Sequence, residues 1–142
     1  MNIKIKKVIL VNTIFILFVT FTGCSKERQT LKDNTWEVES MKVHADADLM
    51  YPPYPVIGPI ILSFPKMGRY HLRLEFNTCE GRGSIIGSKI SFKPATCTLI
   101  NMSSFATSFD KMLQNNINRY TINGNNLVLE GDNGERINFV KQ

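Results

Sequence analysis

Histidine, tryptophan and cysteine are scarce in this chain: two, one and three in 142 residues. These scarcities exclude whole classes of chemistry. A catalytic nucleophile needs a nearby base, yet His44 and His71 stand in no frame that presents a serine, and no glycine-x-serine-x-glycine elbow occurs. His71 shares the polar face of its segment with Arg73 and Glu75, the position of a solvated sheet residue. Cys79 and Cys97 have 17 residues between them, unlike the close Cys-x-x-Cys pairs of zinc sites. His44-x-Asp46-x-Asp48 alternates imidazole and carboxylate ligands but lacks the glycine and distal glutamate of a calcium loop, so it reads as a solvated turn. Glu75, Glu80 and Asp110 have no hydrolytic frame around them. Basic residues are scattered, without the aromatic-and-basic stripe of a nucleic-acid binder. The expectation is a protein with no catalytic residues, no metal, no cofactor and no nucleic-acid partner.

What the chain does have begins at its N-terminus. Lys4, Lys6 and Lys7 precede an apolar run from Val8 to Thr22, broken only at Asn12 and Thr13 and too short and early for a stop-transfer helix. The run ends in Phe21-Thr22-Gly23-Cys24, and the small pair before the cysteine resembles the lipobox of bacterial lipoprotein precursors, with Phe21 in place of the usual leucine. That resemblance implies removal of residues 1–23 and acylation of Cys24 by chains such as palmitate, which hold a protein on a membrane more firmly than one chain would. Its partner is then the membrane itself, its location the bacterial cell envelope. Serine rather than aspartate after the cysteine leans toward the outer membrane. Without its leader the chain loses three of its 17 basic residues, leaving 14 against 12 acids over 119 residues, an ordinary charge on a single-domain length. In the envelope disulfides persist, and Cys79 and Cys97 are an even pair that invites a bridge, two buried thiols being the alternative.

Residues 24–32 read as the acylated cysteine and a polar tether, and residues 33–142 as the folded domain. Trp36 and Val38, with Met41 and Val43, suggest a first strand. From His44 to Pro59 every period breaks, and Tyr51-Pro-Pro-Tyr54-Pro55 rules out a regular ladder because proline has no amide hydrogen. Residues 60–64 read as a strand and Pro65 to Gly68 as a turn. Tyr70, Leu72, Leu74 and Phe76 alternate with polar residues, predicting a half-buried antiparallel strand. Gly81 and Gly83 suggest a bend, and Gly87-Ser88 a two-residue hairpin. Phe105, Phe109, Met112, Leu113 and Ile117 then fall at helical spacing, predicting one amphipathic helix over about 104–118, capped by Ser103 or Ser104. Asn123-Gly124 and Asp132-Asn133-Gly134 join three final strands. The class is α+β: a predominantly antiparallel sheet or partly closed barrel, one helix, then a three-strand meander.

Several of these segments together resemble the META domain (HslJ-like) family: Leu31 to Trp36, Asn77 to Ser84, Ile90 to Phe92, Ala95 to Cys97, the helix with Phe109 and Leu113, and Tyr120 to Leu129. Almost all of residues 31–140 is covered. The resemblance implies a non-catalytic envelope protein in a binding or maintenance and stress role, with Cys79 and Cys97 in its two matching segments as a disulfide. The rival architecture is a lipocalin-like carrier of a small apolar ligand. Its helix would follow the barrel strands, whereas three strands follow the helix here. For an envelope-protein partner the candidate surface is the proline-tyrosine loop, where Tyr51 and Tyr54 present rigid amphipathic rings. Its competing role is closure over the core.

Overall fold

The computed structural model describes residues 26–53, 58–98 and 100–142. In chain order it contains a helix over residues 26–33 (α1), then β1 (Thr35–Lys42), β2 (Ile60–Lys66), β3 (Arg69–Leu74), β4 (Asn77–Ile86), β5 (Lys89–Phe92) and β6 (Thr96–Cys97). A second helix follows, α2 (Ser104–Asn115), and then β7 (Ile117–Asn123), β8 (Asn126–Gly131) and β9 (Arg136–Lys141). Eight strands, all antiparallel, close into a barrel in which neighbours follow chain order, β1 through β5, then β7 to β9 and back to β1. The two-residue β6 adds to β4 beside the end of β5. Closure is thinnest between β5 and β7, where Lys89 faces Arg119 and the Tyr120 amide donates to the Ser88 carbonyl at 2.9 Å.

Alternation fills the interior. Trp36, Leu62, Tyr70, Leu72, Leu74, Leu127, Leu129 and Ile137 are all buried, and the α2 stripe of Phe105, Phe109, Met112 and Leu113 packs into the same core. The Phe109 ring meets Phe139 edge-on at 6.2 Å between centroids. Ser103 is the N-cap, its hydroxyl accepting from the Ala106 amide. α2 stops at Asn115, three residues before the expected end, because Ile117 is taken by β7, where it is also buried. A bulge between Val38 and Ser40 lets Trp36, Val38 and Met41 all face inward.

Three sequence expectations need correction. The segment 24–32, read as a tether, is helical from residue 26, with Leu31 fully buried and its carbonyl accepting from Trp36 Nε1 at 3.1 Å. Phe76 does not continue the apolar face of β3. Leu74 pairs with Asn77, so Glu75 and Phe76 form a tight turn that buries Glu75 and leaves Phe76 exposed. Glu75 sits at a φ of +56°, a conformation costing a non-glycine residue about 1 kcal/mol or more. Its carboxylate accepts from the Ser103 amide at 3.0 Å, at the positive end of the α2 dipole. Finally, Gly81 and Gly83 do not interrupt the strand, since β4 runs through both. A β-carbon at Gly81 would overlap the Tyr70 ring, and one at Gly83 would lie 2.6 Å from the Ser91 carbonyl oxygen, so the glycines admit close neighbours.

Candidate functional site

Cys79 and Cys97 face each other across β4 and β6 and are disulfide-bonded, with Cα atoms 4.1 Å apart. Below the bridge, Asn77 is buried and organises the chain leading to α2. Its Oδ1 accepts from the Ile100 amide at 2.9 Å and the Thr98 hydroxyl at 3.1 Å, and its Nδ2 donates to the Ile100 carbonyl at 2.9 Å. Asn77 and Glu75 therefore fix the same connection from one turn.

Tyr51 is 63% exposed. Its loop is pinned by a two-bond bridge between Met41 and Met50, with amide-to-carbonyl distances of 2.9 and 2.8 Å. Tyr54 and Cys24 lie outside the described residues. His71 stands 3.4 Å from Glu80 on the exposed face, and His44, Asp46 and Asp48 are solvated. The described residues contain no group of three or more histidine, cysteine or carboxylate side chains placed to hold a metal.

Two open depressions of about 400 Å³ lie on the outer face, and both are lined by charge. One, on the β7 to β9 side, is bordered by Lys42, Arg119, Arg136, Glu130, Asp132 and Glu135. Arg119 Nη1 donates to Asp132 at 2.7 Å, and Arg136 pairs with Glu130 at 3.6 Å. Hydrogen bonds from Asn118 and Arg119 hold the Asp132 carboxyl below its ordinary value. Glu135 is buried, which opposes its charge. Amides of Glu135 and Asn133, with the Asn133 and Asn116 side chains, outweigh that penalty and leave its pKa lowered.

The other depression is bordered by Arg69, Arg82, Lys93, Glu80 and Thr96, over a backbone stretch containing Gly81. Its floor is rigid. Tyr70 lies beneath Gly81 and donates its hydroxyl to the Lys93 carbonyl at 2.6 Å. Burial, aided by the nearby charge of Asp110, pushes the Tyr70 phenol up to about 12. Burial likewise raises Asp110, against the hydrogen bond from Gln114. The sequence treats these cations as ordinary scattered surface. Lys66 and Lys93 are far apart in the chain, and strand register alone brings them into one row.

The fold and this surface define a small closed antiparallel barrel, plugged by its own side chains and by a helix, whose distinctive groups lie outside. The family model of the META domain matches residues 29–142, and the chain belongs to that family. Two solved structures share the fold at 18% identity. A protein from Burkholderia xenovorans, solved by NMR, superposes with a TM-score of 0.63 over 80% of this chain and 85% of its own. A DUF4847 family protein from Bacteroides vulgatus, solved by crystallography, gives 0.62 over 79% and 94%. No curated protein matches the chain.

Proposed function

We propose that this META-domain protein is a non-catalytic lipoprotein of the bacterial envelope, anchored by acylated Cys24 and serving in binding or envelope maintenance. The observation that carries the reading is the leader ending at Gly23, with Cys24 two residues before the first turn of a helix that packs into the domain through Leu31. An anchor so close to the fold suits a domain held against a membrane. Replacing Cys24 with alanine is expected to abolish incorporation of labelled acyl chains and release the protein from the membrane fraction; a lipid label that survives the change overturns the anchor.

The partner surface in this reading includes the loop bearing Tyr51. Because that ring is largely exposed, Tyr51→Ser is expected to leave the melting temperature within about 2 °C of wild type while weakening partner capture. A fall of several degrees assigns the loop to core closure instead. A second reading, the lipocalin-like carrier, draws on the chain-ordered closed antiparallel barrel. Saturable binding of a fluorescent fatty acid by the purified protein favours the carrier. Its absence favours a barrel whose interior is occupied by side chains such as Trp36, Tyr70 and Phe139.

A further inference from the structure

Four cations stand in line on the outer face of the barrel. Lys66 is opposite Arg69 and Arg69 opposite Arg82, and the Lys93 amide donates to the Arg82 carbonyl at 2.8 Å, so the line crosses β2, β3, β4 and the chain just beyond β5. All four residues are exposed. Like charges directly opposite on neighbouring strands oppose sheet formation. None of the four has an ion-pair partner among the described residues. The carboxylate lining the depression, Glu80, faces His71 instead.

We propose that Arg69, Arg82 and Lys93, with Lys66 at the margin, form a binding site for a phosphate-bearing anion, as presented by an anionic phospholipid headgroup or by soluble pyrophosphate. Guanidinium forks match phosphate oxygens two at a time, and an ammonium adds a point charge. The Thr96 hydroxyl at the rim supplies a further donor. The depression, at about 400 Å³, has room for one or two phosphoryl groups and is open to solvent. Its walls are held in place before any ligand arrives: Tyr70, adjacent to Arg69 in the chain, fixes the Lys93 backbone through its hydroxyl, and the Cys79–Cys97 bridge ties β4 to β6.

The position of α1 gives the headgroup source a structural route. Arg28 Nη2 donates to the Ile85 carbonyl at 3.1 Å, and Ile85 lies three residues from Arg82 on β4, roughly 10 Å along the strand. That route rests on the Cys24 anchor, whereas the anion site does not.

The test measures thermal unfolding of the full-length protein in neutral detergent with increasing pyrophosphate, beside the double variant Arg69→Gln/Arg82→Gln. Pyrophosphate is expected to raise the melting temperature of the wild type, with about tenfold or greater loss of affinity in the double variant. Without anion the variant should melt at or above the wild type, because repulsion across β3 and β4 is relieved, which separates lost binding from lost folding. In a parallel arm both proteins are reconstituted in phosphatidylcholine vesicles with or without phosphatidylglycerol. Stabilisation by phosphatidylglycerol in the wild type alone assigns the headgroup source, and response to pyrophosphate alone assigns a soluble ligand. Equal responses of wild type and double variant in both arms, or none in either, overturn the site. Cys24→Ala must retain pyrophosphate affinity; its loss overturns the proposal, whereas a lipid label persisting in that variant overturns only the anchor.

Discussion

Two rows of charge cross the outer face of the barrel: one interleaves carboxylates among its cations, although Lys42 opposite Arg136 is a like-charged pair, and the other has no carboxylate in line. One runs from Lys42 on β1 through Arg136 on β9 and Glu130 on β8 to Arg119 on β7, each opposite the next in register. A carboxylate stands between the two arginines, and Asp132 adds a second anion against Arg119. The other row, Lys66, Arg69, Arg82 and Lys93, contains cations alone. Opposite-charge cross-strand pairs contribute roughly 0.2–1 kcal/mol each, and like-charge pairs oppose pairing. The first row therefore helps hold the β7–β9 meander together. The second makes no such pair among the described residues, and its strands are secured by other means: the Cys79–Cys97 bridge, the Asn77 network and the Tyr70 hydroxyl. A charge pattern retained against the interests of the sheet points to a ligand.

The sharpest way to break this comparison is to remove the staple from the unmatched side. In the chain-entropy account a bridge across a separation of 18 residues contributes about 3 kcal/mol, so Cys79→Ser/Cys97→Ser should lower the melting temperature by roughly 10–20 °C. Hydrogen exchange should accelerate first in β4 and β6, with the β7–β9 meander protected longer. Uniform acceleration across both sides would mean that the charge rows do not divide the barrel into regions of different local stability.

Acid probes the matched side. The folded pKa of Glu135 lies below the ordinary value of 4.5, so its carboxylate contributes stability that is present above that value and lost as pH falls through the lower folded one. Wild type should therefore lose stability as the pH falls below the ordinary value of 4.5 and through the lower folded one, and Glu135→Gln, about 1–3 kcal/mol less stable at neutral pH, should show a shallower acid limb. Parallel acid limbs in urea unfolding would remove Glu135 as the anchor of the β8–β9 turn.

How much of this was legible beforehand depends on what each residue must know about its neighbours. The amphipathic helix, the strand alternation of Tyr70, Leu72 and Leu74, and the Gly87-Ser88 hairpin are set by local periodicity and turn chemistry, and each is present, the helix three residues shorter than its periodicity predicts. The cation row was invisible because it depends on register, and register depends on one misread turn. With Phe76 taken as a strand residue, the β3–β4 turn is displaced and Arg69 does not face Arg82. With Glu75-Phe76 as the turn, Leu74 faces Asn77 and the whole ladder, Arg69 against Arg82 included, follows. Glu75 hid that turn because it adopts positive φ without being glycine, asparagine or aspartate, supported by a contact to Ser103, 28 residues away. The wall of Tyr70 against Gly81 is likewise a tertiary fact that local glycine rules turn into a bend.

The smallest expected effect is also the most direct exchange of the two patterns. Arg82→Glu would place a carboxylate between Arg69 and Lys93, copying the position Glu130 holds between Arg136 and Arg119. Glu130→Lys would strip the matched row of its central anion. At low ionic strength the first change should stabilise the protein by about 0.2–1 kcal/mol and the second should destabilise it by a similar amount, both in denaturant unfolding. Raising salt to about 1 M, where the Debye length falls to about 3 Å, should shrink both differences, since all these side chains border solvent. The two rows would then differ in composition but not in energy if Arg82→Glu destabilised the barrel at low salt, because the like-charged row would have to be stabilised by something other than an absent anion. With the expected signs, Arg82→Glu should also be more stable than wild type while losing its response to pyrophosphate, the combination that separates a binding surface from a structural one.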